Sequence, residues 1–466
     1  MSEADIPLVL TPEARIYALK ELARRAGVTR EFFLSWQIEV TNHQTSISFA
    51  SGQPAQIHIE HASPALLQRL AAGDFPVVQA SCLPFPGRNA GESPLILPFC
   101  DVRSGPHQPL FQRSADSSFL CSADILLATL FTLCRTEETI CSTRDEHLRF
   151  PASASLAARH NFLERPIVDE YGAAFEQVLS ALRPLWKRAR QPLRTKLTHD
   201  IDLVGIPFSL QATVGHTLKR KNPACTARDI LAAASSTEPT DLYLVRKLAQ
   251  ISKSRGLHSA FYWKGSPRTP MDEGYDPFHP KVQRVLRDLQ QQDFELGVHP
   301  GYDTFHARAE LSREADRLRE ALGVKYPGGR QHYLRWSPAT WLDWEACGLR
   351  YDSSVGFADQ LGFRAGTSVP YRPWSIAENR ELDLIEVPLL LMDCTPVKYM
   401  GLPREEGLAR IRQVIQRTAT AGGVFTMLWH NAPLIDPEYD GWYEAILDLL
   451  PAGQNFQLPE SSSALW

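Results

Sequence analysis

The sequence predicts an α/β protein in two parts: a smaller N-terminal α/β domain over residues 1–190 and a larger α/β domain over residues 191–466. After about residue 194, short apolar runs alternate with amphipathic helical stretches, which is the pattern of repeated βα units. Such units pair their strands in parallel through right-handed crossovers. Before residue 190 the short strands and helices follow no such alternation, so this part is predicted to be a separate domain.

In the first domain, apolar periodicity and turn residues predict helices at 12–22, 64–72, 124–136 and 173–189, and strands at 38–40, 45–49 and 56–60. Pro12 begins the first helix, because proline suits the first turn, and Gly27 ends it. Residues 83–112, which are rich in proline, and most of 144–172 are predicted to be loops.

In the second domain the same reasoning predicts strands at 194–198, 259–263, 294–298, 384–391 and 424–429, with short strands leading into Arg330 and through Tyr351. The predicted helices are 242–254, 280–291, 312–322, 338–347, 404–421 and 443–450. Residues 206–240 are polar and are predicted to be an excursion from this pattern.

The composition restricts the classes of partner. The 466 residues include 49 basic and 53 acidic side chains, for a net charge of −4, which argues against a nucleic-acid binder and suits a largely neutral ligand such as a sugar. The longest apolar run, 125–134, is shorter than the roughly 20 residues that a membrane-spanning helix needs. With no export signal in view, we expect a cytoplasmic protein whose eight cysteines are reduced.

Ionisable residues follow several of the predicted strands. The carboxyl ends of parallel strands meet at one face of an α/β fold, so these residues should share a pocket. Carboxylate and imidazole groups are typical ligands of a divalent metal such as Zn²⁺, which activates water for acyl hydrolysis. The nucleophile-elbow, Walker A and dinucleotide-binding motifs are absent. The residues concerned are His199, Asp200, Asp202, His299, Asp303, Arg330 and His430.

Four segments that contain these ionisable residues resemble motifs of the NodB-homology polysaccharide deacetylases (carbohydrate esterase family 4). In chain order, LTHDID (197–202), ELGVHPGYD (295–303), GGRQHY (328–333) and MLWHNAP (427–433) resemble the first, second, third and fifth motifs. RDEHLRFP (144–151) and FLERPIVDEY (162–171) resemble an uncharacterised N-terminal domain that precedes this catalytic domain in some bacterial proteins. The resemblance implies a distorted (β/α) barrel that uses a divalent metal, with Zn²⁺ expected, to remove N- or O-linked acetyl groups from carbohydrates.

The resemblance also implies roles for the matching residues. Asp200 takes the place of the catalytic base, and Arg330 would pair with it and hold it in place. Asp202 and His299 take the place of metal ligands. His430 takes the place of the general acid that protonates the leaving amine or alkoxide.

The third metal ligand departs from the family pattern. The family has a second histidine four residues after the first, and here that position is Asp303. A carboxylate can ligate Zn²⁺, so Asp303 is the expected third ligand, with His306 as the alternative. The departure also leaves open a catalytically degenerate domain that binds a carbohydrate or a protein partner.

The remaining assignments concern substrate contacts and the family's fourth motif. Tyr333 sits where a backbone N–H stabilises the oxyanion, and His332 and Trp429 are candidates to line the pocket. The aspartate that orients the acid histidine is expected to be Asp352 or Asp359. The substrate is expected to be a carbohydrate or another acetylated small molecule, and hydrolysis of a non-sugar C–N bond is the alternative within the same fold.

Overall fold

The computed structural model describes residues 10–49, 55–81, 94–100, 109–184, 186, 188, 191–205, 223–235, 237–325 and 327–458. These residues form an α/β protein, as the sequence predicts. No helix among them is both long and apolar enough to cross a membrane.

The N-terminal part combines helices with a five-stranded mixed sheet. Its helices are α1 (Pro12–Arg25), α2 (Arg30–Leu34), α3 (Pro64–Ala71), α4 (Ile125–Leu133), α5 (Thr136–Ile140), α6 (Leu156–Arg159) and α7 (Ile167–Leu182). Its strands are β1 (Trp36–Val40), β2 (Gln44–Phe49), β3 (Ile57–Glu60), β4 (Val77–Ala80), β5 (Leu95–Pro98), β6 (Phe111–Arg113) and β7 (Phe119–Cys121). The sheet order is β1-β2-β3-β7-β6, and β4 and β5 form a separate antiparallel pair.

The C-terminal part follows the βα alternation. Its strands are β8 (Arg194–Ile201), β9 (Ser259–Trp263), β10 (Glu295–Val298), β11 (Tyr351–Asp352), β12 (Trp374–Ser375), β13 (Arg380–Glu381), β14 (Ile385–Glu386), β15 (Leu391–Met392) and β16 (Val424–Leu428). Its helices are α8 (Pro223–Ala234), α9 (Thr240–Ser254), α10 (Pro280–Gln290), α11 (Arg308–Leu322), α12 (Pro338–Ala346), α13 (Arg404–Ala421) and α14 (Trp442–Leu447).

The main sheet of this part is parallel throughout, in the order β10-β9-β8-β16-β15. Gly329 continues it by bridging Val298, the last residue of β10, on one side and Asp352 of β11 on the other. A Cβ on Gly329 would lie 1.8 Å from the carbonyl oxygen of Val298, so only glycine fits this close approach. Across the described ranges the sheet does not close into a barrel.

Buried polar contacts join the two parts of the chain. Glu138 of α5 forms a bidentate ion pair with Arg364, in which both side chains are almost fully buried. Tyr17 of α1 donates a hydrogen bond to the carbonyl oxygen of Arg372. One continuous apolar core includes residues from both parts. The two parts therefore pack against each other, and the boundary at residue 190 stays a prediction.

Several element bounds differ from the predictions. Helix α7 begins at Ile167, earlier than predicted, because Asp169 and Glu170 in its first turn favour a helix N-terminus. Strand β8 extends to Ile201, since its apolar neighbours bury it on both faces. The predicted strand at 384–391 is instead the two short strands β14 and β15. The excursion contains α8, and its residues 206–222 lie outside the described ranges.

Candidate active site

The candidate site lies where strands β8, β10 and β16 end at one edge of the parallel sheet. A cavity of about 170 Å³ opens there. Four of the seven residues that the sequence assigned to a shared pocket line this cavity, because neighbouring parallel strands end at the same level: Asp200, Asp202, His299 and His430. Arg330 contacts Asp200 from below, whereas His199 is buried against Ser259 and Asp303 lies outside the cavity. The cavity is lined by Arg149, Asp200, Asp202, His299, His332, Tyr333, Leu334, Met392, Cys394, Tyr399, Leu428 and His430.

Arg330 anchors Asp200 at the floor of the cavity. The guanidinium group is fully buried and donates from Nη1 to Asp200 Oδ1 at 2.9 Å and to Thr198 Oγ1 at 2.9 Å. Its Nε and Nη2 donate to the carbonyl oxygen and Oγ of Ser353. A guanidinium fixed at four atoms leaves the Asp200 carboxylate a single position. The other carboxylate oxygen lies 3.7 Å from Nδ1 of His299.

Three acceptor atoms that face one another form a candidate cation site. Oδ1 of Asp202 lies 3.3 Å from Nε2 of His299 and 3.2 Å from Nε2 of His332. His299 donates from Nδ1 to the carbonyl oxygen of Arg330 at 2.8 Å, so its Nε2 carries a lone pair. Both Asp202 Oδ1 and His299 Nε2 are buried without an aligned hydrogen bond among the described residues. A carboxylate oxygen and two imidazole nitrogens that face one another at this distance are a typical donor set for a divalent metal, so these residues fit one.

The third member of this cluster corrects the sequence prediction. Asp303 is exposed on the turn Tyr302–Thr304, and His306 is exposed with Nε2 2.8 Å from Ser337 Oγ. Neither belongs to the group of possible ligand atoms, whose third member is His332. The ring of His332 lies 4.9 Å from that of His299, because the GGRQHY segment folds over the end of β10. The spacing within one motif could not show a ligand that arrives from another.

Two residues beside the cluster were missed by the sequence analysis. Lys264, which follows β9, places Nζ 3.1 Å from Asp202 Oδ1 and 2.8 Å from Asp272 Oδ1. Asp272 in turn lies 2.8 Å from Nδ1 of His332 and fixes that ring. Burial alone would raise the pKa of Asp202, but the ammonium group of Lys264 holds that pKa well below its usual value.

His430 is oriented by Asp393, a residue that the sequence analysis also missed. Nδ1 of His430 lies 3.0 Å from both carboxylate oxygens, and its backbone N–H donates to Asp393 Oδ2 at 2.7 Å. Burial lowers the pKa of His430, but the carboxylate of Asp393 outweighs it and raises that pKa to about 10. Nε2 of His430 points back to the site, 3.5 Å from Asp202 Oδ2.

The two aspartates predicted for the orienting role lie elsewhere. Asp352 is fully buried, accepts hydrogen bonds from the backbone and side chain of Ser354, and has a pKa raised to about 7 by burial. Asp359 accepts from the backbone N–H of Ala152 in the N-terminal part. Among the described residues neither contacts His430. Asp393 takes the role because it follows β15, the strand next to β16.

Of the three predicted substrate contacts, His332 and Tyr333 line the cavity and Trp429 lies in the core. Tyr333 lines the cavity in a left-handed conformation (φ 60°, ψ 13°), which is strained for a residue other than glycine. Trp429 is fully buried, packs on Tyr443 with ring centroids 5.0 Å apart, and accepts a hydrogen bond from His199 at its carbonyl oxygen. Trp429, which the sequence offered as a pocket residue, therefore packs in the core directly after β16 and does not line this cavity.

A loop of the N-terminal part forms one wall of the cavity; residues 144–150 are called the front loop. Arg149 donates from Nη1 to the carbonyl oxygen of Tyr333 at 3.3 Å, and His147 packs on the Tyr333 ring with centroids 4.4 Å apart. Asp145 holds the loop's shape by accepting from the backbone N–H groups of both residues. Arg335 ties the loop to the C-terminal part by donating to the carbonyl oxygen of His147.

Comparison with solved structures finds similar α/β proteins. A candidate polysaccharide deacetylase from Mycobacterium smegmatis is 16% identical over 57% of this chain and 85% of its own, with a TM-score of 0.38. A candidate polysaccharide deacetylase involved in O-antigen biosynthesis from Bordetella bronchiseptica is 16% identical over 52% of this chain and 72% of its own, with a TM-score of 0.27. PuuE allantoinase is 12% identical over 57% of this chain and 86% of its own, with a TM-score of 0.38.

Comparison by sequence reaches the N-terminal part alone. Residues 11–184 match a family of unknown function (DUF7033). A search of curated proteins finds no match. The chemistry of this chain therefore has to be argued from its own residues.

Proposed function

We propose that the protein is a metal-dependent hydrolase that removes N- or O-linked acetyl groups from a carbohydrate and releases acetate. The observation that carries the proposal is the cluster of Asp202, His299 and His332, whose buried acceptor atoms lie 3.2 and 3.3 Å apart beside an anchored carboxylate and a charged imidazole. Zn²⁺ is the metal we propose, because it accepts carboxylate and imidazole donors. When bound, it would polarise the acyl oxygen and strengthen water as a nucleophile.

Two side chains next to the cluster are suited to move the protons. Asp200, held by Arg330, is proposed to take a proton from the attacking water. His430 is proposed to give a proton to the leaving amine or hydroxyl, because its raised pKa keeps it as an imidazolium at neutral pH. Asp393 keeps Nε2 of that imidazolium directed into the cavity.

The size of the cavity supports a substrate with a small acyl group. About 170 Å³ suits an acetyl group better than a long acyl chain. The backbone N–H of Tyr333 is proposed to stabilise the developing oxyanion. We further propose that residues 191–466 form the hydrolase domain, of distorted (β/α) barrel type, and that residues 1–190 form a domain that contributes the front loop.

Acetate release from a panel of N- and O-acetylated sugars tests the proposal. The Zn²⁺-loaded protein should release acetate, and Asp200→Asn should lower kcat by about 1,000-fold. Asp303→Asn is the matched control, because this exposed aspartate was the expected ligand and lies outside the cluster; its kcat should stay within about threefold. Absence of acetate release from every substrate, with folded protein and saturating metal, would contradict the proposal.

A further inference from the structure

Three neighbouring strands place the ammonium group of a lysine between the candidate metal ligands. In the parallel register, Ile201 of β8 and Val298 of β10 both pair with Trp263 of β9. The next residue on each strand is therefore Asp202, Lys264 or His299, so a lysine stands in the same row as two proposed ligands.

The contacts of Lys264 use the same atoms that a metal would need. Its Nζ lies 3.1 Å from Oδ1 of Asp202 and 3.1 Å from Nε2 of His332. An imidazole nitrogen has one lone pair, so an Nε2 that accepts from an ammonium cannot bind a metal at the same time. The side chain of Lys264 is only 2% exposed, and its third partner is Asp272 at 2.8 Å.

We propose that Lys264 is an internal competitor of the metal: its ammonium group pairs with Asp202 and His332 in the metal-free protein, and a divalent ion binds only after Nζ leaves both atoms. The inference rests on the metal site in the proposed function. Asp272 stays as the partner of the displaced ammonium, since its contact with Nζ shares no atom with the ligand set. The protein thus folds with two of its three acceptors already paired, at the cost of weaker metal affinity.

Metal affinity, measured with Co²⁺ alone by isothermal titration calorimetry, tests this without any substrate. Removing the competing charge in Lys264→Met and Lys264→Gln should tighten Co²⁺ binding about tenfold or more, which is about 1.4 kcal/mol. The matched control is Lys196→Met. Lys196 is an equally buried lysine on β8 that pairs with Glu295 at 2.7 Å, and its loss should leave the affinity within about threefold.

Equal or weaker Co²⁺ binding by both Lys264 variants, with circular dichroism showing folded protein, would overturn the inference. If neither variant folds, a crystal structure of the Co²⁺-loaded native protein decides. Nζ beyond hydrogen-bond distance of Asp202 and His332 supports competition, and a bound metal with Nζ still on both atoms overturns it. Because affinity is the readout, failure here with acetate release intact leaves the proposed hydrolase standing.

Discussion

Replacing Asp393 with asparagine should remove the proposed acid function of His430 while leaving the proposed metal site intact. Asp393 is fully buried and contacts His430 three times, through both carboxylate oxygens to Nδ1 and through Oδ2 to the backbone N–H. Asparagine has nearly the same shape but no charge, and its NH₂ group would face the Nδ1–H.

The expected loss follows from the pKa of His430. This pKa is raised to about 10 from an ordinary 6.5, which corresponds to about 5 kcal/mol in favour of the imidazolium, and Asp393 is the largest favourable contribution. An imidazole with the ordinary pKa is protonated in only about one molecule in 30 at pH 8. The asparagine NH₂ group would also turn the imidazole ring away from its native orientation. Because of both effects, kcat at pH 8 should fall about 100-fold, with little change in KM.

The assay is steady-state acetate release at pH 8, with Co²⁺ affinity measured on the same samples. Asp359→Asn is the matched control, since the sequence offers Asp359 for the same role but the structure places it against the backbone of Ala152. Its kcat should stay within about threefold of the native value. If the kcat of Asp393→Asn also stays within about threefold of the native value and the metal affinity is unchanged, the proposal that Asp393 orients His430 as the general acid is refuted.

Three further predictions concern the front loop, the N-terminal core and the metal. Arg149→Ala frees the carbonyl of Tyr333, so kcat should fall about tenfold with a smaller change in KM and partial rescue by added guanidinium; an unchanged kcat contradicts this. Buried Glu21 has a pKa lowered to about 2, because its neighbours Arg24 and Arg25 outweigh burial, so its stabilisation is complete above about pH 4.5 and is lost as the pH falls through about 2. Glu21→Gln should therefore lower the free energy of unfolding at pH 7 by about 3 kcal/mol in urea titrations and flatten its dependence below pH 4; equal slopes contradict this. Removing metal with a chelator should abolish acetate release without changing the circular dichroism, since Lys264 pairs two of the ligands; a loss of helix signal would contradict this.

The part of the site that belongs to strands could be predicted from the sequence. Asp200 lies in β8, Asp202 and His299 directly follow β8 and β10, and His430 follows β16 closely. Their meeting follows from a property of every parallel sheet, in which strand ends share one edge. The alternation of apolar runs and helices was enough to place these ends in the sequence to within a few residues.

The site residues that lie in the segments between strands could not be predicted in this way. His332 reaches His299 because Gly297 and Gly329 allow the chain before His332 to lie in contact with β10. This contact depends on packing in space, which the periodicity of the sequence does not show. Asp393 acts on His430 because β15 and β16 are adjacent in space though distant in sequence. Lys264 could not be predicted from the motifs, because it follows β9 and lies outside all four of them.

The front loop makes the cleft a product of both halves of the chain. A fragment beginning near residue 191 would lack His147 and Arg149, and with them one wall around Tyr333. Joining the C-terminal part to another domain would therefore change the wall of the cavity beside Tyr333, even with every proposed catalytic residue retained. The range of ligands that fit the cavity thus depends on residues from both parts of the chain.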